Sequence, residues 1–349
     1  MKISIIIPAY NVDTWIPIAL NSLIRQDLSH IEIIVIDDGS VDNTNNTAMR
    51  ILSQSKTPHY KIIKSTNKGV SAARNIGILK SKGKYLYFLD ADDFVSETFV
   101  NDLTVIIDQQ SADMICWGYN TVTDNNHMII RKYFDHYDNS KTLMTPEETL
   151  KNILLHKSLR IHTNSVIYRR EFITTHELLF YEGCINGEDQ EFCYKALSQA
   201  SEIMFINKVL SYAVNRAGSV TNTYNLKRFD AVAALKRTTE YYRDNNMNYS
   251  NEIIQALENK VLSNYFANLQ FCISASSSST IDSIYDDIDK LYPGLNDEIL
   301  NRIKNSKGVD IILLLKITLY RISRNFFLRF LIHYNSLKKH IRRVTSKFN

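Results

Sequence analysis

In the N-terminal third of the chain, short apolar runs alternate with stretches whose apolar residues recur at helical spacing. Residues 3–7 form a β-branched run interrupted by Pro8, which predicts a short buried strand. Over residues 13–26, Ile16, Leu20, Leu23 and Ile24 fall on one helical face. Residues 31–36 predict a second strand that stops abruptly at Asp37-Asp38-Gly39-Ser40. Residues 60–64 read as a strand, 70–79 as a helix, and 85–89 as a strand ending in Asp90-Ala91-Asp92-Asp93. Strands alternating with helices imply an α/β fold: a largely parallel sheet with helices on both faces. Such sheets bind ligands in the crevice at the carboxyl ends of their strands. Three of the expected strands end there in polar or acidic residues: Tyr10-Asn11, Asp37-Asp38 and residues 90–93.

Residues 113–215 are more mixed. Thr145-Pro146-Glu147-Glu148 places a Thr cap, Pro at the first helical position and Glu three residues after the cap, so a helix starts there. Residues 164–168, 203–206 and 210–214 read as short strands, and 188–197 as a helix. From Leu226 onward the pattern is helical, interrupted by a loop at 274–280. The expected organisation is a catalytic domain over 1–222 followed by a helical region over 223–349. Within the first, residues 1–115 and 116–222 form two functional parts.

At 349 residues, two units are the natural expectation, and 44% apolar and 22% charged residues suit a soluble globular chain. The net charge of +4 conceals an asymmetry: residues 302–349 carry twelve Lys/Arg against one acid, Asp310, so the remainder is acidic. A polyanionic partner is therefore expected for the tail alone. Cys116, Cys184, Cys193 and Cys272 have no metal-ligand spacing, and scattered thiols suit a reducing compartment. The run 3–7 is too short for a signal peptide, and no stretch approaches the roughly 18 apolar residues of a membrane span. The nine histidines form no HxxxH or HExxH pattern, so zinc chemistry has no support.

An acid at a turn is often only a helix cap, and for Asp37-Asp38 that explanation competes evenly. Asp90-Ala91-Asp92-Asp93 is harder to dismiss, because it gathers like charges whose repulsion disfavours ionisation. A divalent cation relieves that cost, and Mg²⁺ or Mn²⁺ prefers carboxylate together with phosphate oxygens.

Four segments occur in order within the first 93 residues: SIIIPAYN, IEIIVIDDGSVDNT, NKGVSAARNIGI and YLYFLDADD. Together they closely resemble the nucleotide-sugar-binding half of glycosyltransferase family two, a large inverting family with the GT-A fold. The resemblance implies that Pro8 and Tyr10 lie beside the nucleobase and that Asp38 hydrogen-bonds its ring nitrogen. It implies Arg74 near the base or diphosphate, Asp90 at the ribose, and Asp92 on the Mn²⁺ or Mg²⁺ that bridges the phosphates. Gly69 and Gly77 are expected at close approaches, with helix packing an equal explanation for Gly77. Gly187-Glu188-Asp189-Gln190 resembles the acidic motif that opens a helix in this family, with Glu188 and Asp189 catalytic and Asp189 the base. A carboxylate there can take the proton of an attacking hydroxyl, although two acids also simply complement a helix N-terminus. YAVNRAGSVTN resembles a segment near the diphosphate in which Arg216 pairs with phosphate and Gly218-Ser219 makes a turn. Asn215 stands where relatives often carry tyrosine or histidine.

The implied function is inverting transfer from a nucleotide sugar, a UDP-sugar first, to a saccharide acceptor linked to polyprenyl diphosphate, as in capsule or other surface-glycan synthesis. A nucleotidylyltransferase would favour a Gly-rich, basic loop where this chain has Pro8-Ala9-Tyr10-Asn11, and a non-catalytic binding module would not need Glu188-Asp189. In the tail, Ile312, Leu315, Leu319, Ile322, Phe326 and Phe330 recur at spacings of three and four. Lys316, Arg321, Arg324 and Arg329 surround them, and Lys338, Lys339, Arg342 and Arg343 follow. A basic amphipathic helix of this kind predicts peripheral contact with an anionic membrane, or else a stripe packed onto the protein. The expected location is the cytoplasm, at the inner face of the plasma membrane. No nucleic-acid partner is expected, because no recognised fold accompanies the charge.

Overall fold

The computed structural model describes residues 1–55, 57–133, 138–216, 225–245, 249–275, 283–332 and 334. The chain divides into two compact units, one of residues 1–217 with 241–247 and the other of 218–240 with 248–349. The boundary expected at residue 222, the turn at Gly218-Ser219 and the basic residues at 338–343 lie outside the described residues.

The first unit is built on a ten-stranded sheet. Its N-terminal part is β1 (Ile3–Ala9), β2 (Ile31–Asp37), β3 (Tyr60–Lys64) and β4 (Tyr85–Phe88), ordered β3-β2-β1-β4 and all parallel. The helices between them are α1 (Ile16–Ile24), α2 (Thr44–Gln54) and α3 (Val70–Lys80). After β4 come β5 (Phe94–Val95), α4 (Phe99–Gln109), β6 (Met114–Thr123), β7 (Ile129–Lys132), β8 (Lys141–Met144), α5 (Pro146–Leu154) and β9 (Val166–Arg169). Then follow α6 (Arg170–Thr175), α7 (Glu188–Gln199) and β10 (Ile203–Asn215). β9 is antiparallel to both β4 and β6, so β6 runs the same way as β4, and β10 runs parallel to β6. The carboxyl ends of β1, β2, β4, β6 and β10 therefore share one end of the sheet.

The unbroken apolar runs follow from burial on both faces. Ile31, Ile33 and Val35 of β2 join the large core with α1 and α4, whereas Ile34 and Ile36 pack with Ala73 of α3 on the opposite face. Gly77 lets α3 lie close to β1, since a Cβ there would sit 2.3 Å from Ile6 Cγ2. Gly69 meets no such crowding; it begins α3 at φ 92°, a conformation that disfavours side chains. Helix packing thus accounts for Gly77 and backbone geometry for Gly69.

Pro8 does not end its strand. It pairs in register with Ile36, and the β4 ladder stops one turn of the pleat earlier, at Ile6 opposite Phe88. A proline is tolerated where one side of the strand has no partner. The expected cap at Thr145 is present as a full capping box with Glu148. The strands expected at 203–206 and 210–214 are one strand, β10, with register shifts between Ile206 and Ser211. Residues 164 and 165, expected to open a strand, instead belong to a 3₁₀ turn, Thr163–Ser165, before β9. Three helices of this unit fall where none is expected: α2, a polar segment that buries Thr44, Ala48, Ile51 and Leu52, α4, and the short α6.

The second unit is helical: α8 (Asp230–Asp244, of which 230–240 belong here), α9 (Asn251–Ala275), α10 (Ile284–Leu291), α11 (Leu295–Asn305), α12 (Ile311–Ile322) and helical residues 324–332. Its core is aromatic. The Tyr265 hydroxyl donates to Asn296 Oδ1 at 2.6 Å and lies 3.0 Å from the Tyr320 hydroxyl, amid Phe229, Phe266 and Phe327. α12 enters that core through Leu313, Ile317 and Tyr320. The stripe singled out in the sequence is a different face: Ile312 is 66% exposed, Ile322 68%, and Leu315 and Phe326 are also exposed. It is also not one continuous helix, because Ser323 is extended between the two segments.

Candidate active site

The loops at the carboxyl ends of β1, β2 and β3 are tied to one another by short polar side chains. Asn11, held at φ 51°, donates its backbone N–H to Ser40 Oγ and accepts from the Val41 N–H through Oδ1 at 2.9 Å. The Val12 N–H donates to Thr44 Oγ1 and that of Asp13 to Asp42 Oδ2. Asp38 is the hub. Its N–H donates to the Ala9 carbonyl, and its buried carboxylate accepts from Ser65 Oγ at 2.7 Å, Gly69 N–H at 2.7 Å and Lys68 N–H. Of the three residues expected at a nucleobase, Tyr10 is open to solvent, while Pro8 is buried in β1 and the Asp38 carboxylate is occupied in holding the loop ahead of α3.

Arg74, expected near the base or diphosphate, is 3% exposed. Its Nη2 donates to Asp90 Oδ1 at 2.9 Å, its Nη1 to Glu188 Oε1 at 3.0 Å, and its guanidinium lies over the Phe180 ring. The arginine therefore spans the tip of β4 and the start of α7. Burial and the neighbouring Asp189 raise Glu188 to about 7, against the pull of Arg74. The next residue, Asn75, exchanges hydrogen bonds with the backbone of Phe180 and so fixes the segment leading to α7.

The acids of the β4 tip divide into three environments. Asp90 is paired with Arg74. Asp93 turns inward, accepting from the Asn164 side chain at 2.6 Å and the Val214 N–H at 2.9 Å; burial and the adjoining acids push it well above the usual carboxylate range. Asp92 keeps a partly exposed carboxylate whose ionisation is disfavoured by burial and by Asp90, opposed by Arg216, whose Nε lies 2.6 Å from Oδ2. Arg216 also lies over the Trp15 ring. Among the described residues no group of three or more His, Cys, Asp or Glu is arranged to hold a metal. Asp92 fits the other kind of site, in which Mg²⁺ or Mn²⁺ takes one carboxylate and completes its shell with phosphate oxygens and water.

Asp189 lies in the first turn of α7, which begins after Gly187 at φ 88°. Thr163 Oγ1 donates to its Oδ2 at 3.0 Å, and Oδ1 accepts from the Gln190 N–H. An ionised carboxylate offers about four lone-pair sites, so capacity remains on both oxygens. The turn that carries Thr163 also carries Asn164, which holds Asp93 and whose carbonyl accepts from the Tyr87 hydroxyl. Sequence reasoning passed over both. The only signal was a Thr-Asn-Ser run directly ahead of an apolar strand.

Removing Arg74 leaves two carboxylates without their cation in a nearly dry site. We expect Arg74→Ala to lose about 3 kcal/mol of unfolding free energy, as for a broken buried pair. Glu188 is a carboxylate whose folded value is raised, so its burial costs stability as pH rises from the unfolded range toward that value. Without Arg74 the value rises further, so the variant's deficit grows between pH 6 and pH 8. Denaturant titrations at the two pH values measure this, and a pH-independent deficit rules out the assigned ionisation.

With this geometry in place, comparison with known proteins is informative. Residues 4–175 match the family described as glycosyl transferase family 2. The chain is 30% identical to the uncharacterized glycosyltransferase EpsJ of Bacillus subtilis (strain 168) over 220 residues, covering 63% of this chain and 62% of EpsJ. It is 27% identical to the poly(ribitol-phosphate) beta-N-acetylglucosaminyltransferase TarS of Staphylococcus aureus (strain Mu50 / ATCC 700699) over 256 residues, 69% of this chain but 42% of TarS. The alignments thus span less than two thirds of either relative. The crystal structure of S. aureus TarS 1–349 in complex with UDP-GlcNAc superposes with a TM-score of 0.67 at 20% identity, over 98% of this chain and 92% of that one. The likeness extends the shared fold across both units, and the GT-A arrangement expected from sequence is the one observed. On its sequence motifs, its family match over residues 4–175 and its fold, the chain belongs to glycosyltransferase family 2.

Proposed function

We propose that this chain transfers a sugar from a nucleotide-diphosphate donor, a UDP-sugar, to a hydroxyl of a saccharide acceptor, with inversion at the anomeric carbon. The observation that carries the reading is the convergence at one sheet end of Asp92 beside Arg216 and Asp189 held by Thr163. Solved structures of TarS in complex with UDP-GlcNAc and with UDP support the choice of nucleotide. TarS is named as a poly(ribitol-phosphate) beta-N-acetylglucosaminyltransferase, which supports a polymeric acceptor and, with it, the surface-glycan reading proposed here.

In the proposed step, the acceptor hydroxyl oxygen bonds to the anomeric carbon as the bond from that carbon to the diphosphate oxygen breaks. The bonding electrons leave with the diphosphate, and the hydroxyl proton passes to Asp189. A single displacement inverts the centre. Thr163 orients the carboxylate, and Arg216 brings positive charge to the side where the leaving group develops negative charge. A Mg²⁺ or Mn²⁺ held by Asp92 and the donor phosphates would neutralise the departing diphosphate.

The acceptor reading extends to a lipid-linked saccharide at the cytoplasmic face of the plasma membrane, supported by the second unit. α12 buries Leu313, Ile317 and Tyr320 and leaves Ile312, Leu315 and Ile322 outward, flanked by Arg321 and Arg329. An apolar face not consumed by the core, beside basic residues, suits shallow insertion into an anionic bilayer surface. Among the described residues no helix is long and apolar enough to cross a membrane.

Asp189→Asn keeps the shape but cannot accept a proton at neutral pH. Its turnover should fall by roughly 10²–10⁴ with donor affinity by calorimetry unchanged, and wild-type turnover removes Asp189 as the base. Metal dependence is read separately. Chelation should abolish transfer, excess Mg²⁺ or Mn²⁺ should restore it, and Asp92→Ala should be insensitive to added metal; full activity in excess chelator refutes the ion at Asp92. For the membrane surface, substitutions at outward positions leave Tyr320 in the core. Leu315→Glu with Ile322→Glu should release the protein from anionic vesicles in sedimentation while its unfolding midpoint holds. Retention on the vesicles by that variant contradicts the insertion of this face.

A further inference from the structure

Beyond the turn that holds Asp189, the first unit carries a cluster of rings and cations that neither the donor site nor the proposed chemistry uses. Tyr119 and Tyr133 stack with centroids 4.3 Å apart, and His162 lies 5.1 Å from Tyr119. The guanidinium of Arg131 lies 4.8 Å from the Tyr133 ring centroid and that of Arg160 5.2 Å from it. The Tyr133 hydroxyl is 3.3 Å from Thr121 Oγ1, which fixes the ring against β6. Both arginines are exposed, and among the described residues neither has a carboxylate partner. Two like charges gathered on one ring repel, and an acidic neighbour would ordinarily relieve this. Here a ligand can.

The cluster's position gives it meaning. Tyr119 and Thr121 lie in the part of β6 beyond its pairing with β9, which ends at Cys116 opposite Val166. That part projects toward the same sheet end as the β4 tip. Arg160 and His162 directly precede Thr163, whose hydroxyl donates to Asp189, so Arg160 is within about 11 Å of that threonine along the chain. Aromatic faces suit the apolar faces of sugar or polyol units, and paired guanidiniums suit oxyanions.

We propose that Tyr133, Arg131 and Arg160, backed by the buried Tyr119 and by His162, form an acceptor subsite that binds a glycan or polyol chain bearing anionic groups. The proposal rests on the transferase reading for the identity of the ligand as acceptor. The platform leads away from Asp189, so it holds the part of the acceptor chain next to the reacting unit. The anion can be a phosphodiester or a carboxylate, and the geometry serves both.

Calorimetry on the full chain tests this with three oligomers of matched length: ribitol-phosphate, oligogalacturonate and neutral maltooligosaccharide. Binding of UDP is measured on the same samples. The wild type should prefer one or both anionic oligomers over the neutral one by roughly 10- to 100-fold, the effect of two charge-assisted hydrogen bonds. That preference should weaken with salt. Arg131→Gln with Arg160→Gln should bring the anionic oligomers to the neutral level while UDP affinity holds. Which anion is preferred identifies the source of the charge. Equal binding of all three oligomers, no binding of any, or a double variant that keeps its preference overturns the subsite. If the wild type ignores UDP and UDP-sugars yet holds anionic oligomers through these arginines, the transferase reading fails and the platform stands as a glycan-binding surface.

Discussion

A guanidinium buried between two carboxylates sets the distance across this site. Arg74 is taken out of water only because Asp90 and Glu188 both meet it, and a buried charge without partners is costly. Asp90 belongs to the tip of β4 and Glu188 to the start of α7, two elements far apart in the chain. The residues around Arg74 reinforce the link. Gly77 brings α3 close to Ile6, Asn75 fixes the backbone of Phe180, and the Phe180 ring stacks on Phe192 at 4.0 Å. A helix from the N-terminal part of the unit thereby positions acids that follow much later in its chain.

The same logic explains how five neighbouring acids take different parts. Asp90 and Glu188 are spent on Arg74, and Asp93 on Asn164 and the β10 backbone. Asp92 retains an outward oxygen and a mobile type of partner, an arginine, that a phosphate can also engage. Asp189 retains lone pairs on both oxygens. The proposed chemistry is assigned to the carboxylates whose hydrogen-bonding capacity the fold leaves incomplete.

The second unit applies a comparable division to apolar residues. α12 has apolar residues around most of its circumference, which ordinarily means full burial. Only Leu313, Ile317 and Tyr320 reach the aromatic core, leaving Ile312, Leu315 and Ile322 for another surface. On the first unit, the charges at Arg131 and Arg160, without acidic partners among the described residues, make the complementary case for an anionic ligand.

Much of the first ninety or so residues was legible in sequence, because burial on both sheet faces writes itself as unbroken β-branched runs and strand ends appear as abrupt switches to Asp, Asn and Gly. β2 and β3 fell close to their expected bounds, and the Thr145 capping box was readable from four residues. The helix α2 was not legible, since a mostly polar segment hides its few buried positions. The bulged β10 read as two strands because register shifts interrupt its alternation. The acidic residues of the site could be named from sequence but their roles could not be sorted. Local pattern records which residue types lie near a strand end; it does not record which of them a distant arginine, asparagine or threonine will engage. That Asp38 holds a loop, that Arg74 is buried, and that Thr163 meets Asp189 are contacts between residues 26 to 114 positions apart. Pairings over such separations are made by the packing of α3, β4 and α7 against one sheet, and only the tertiary structure decides them.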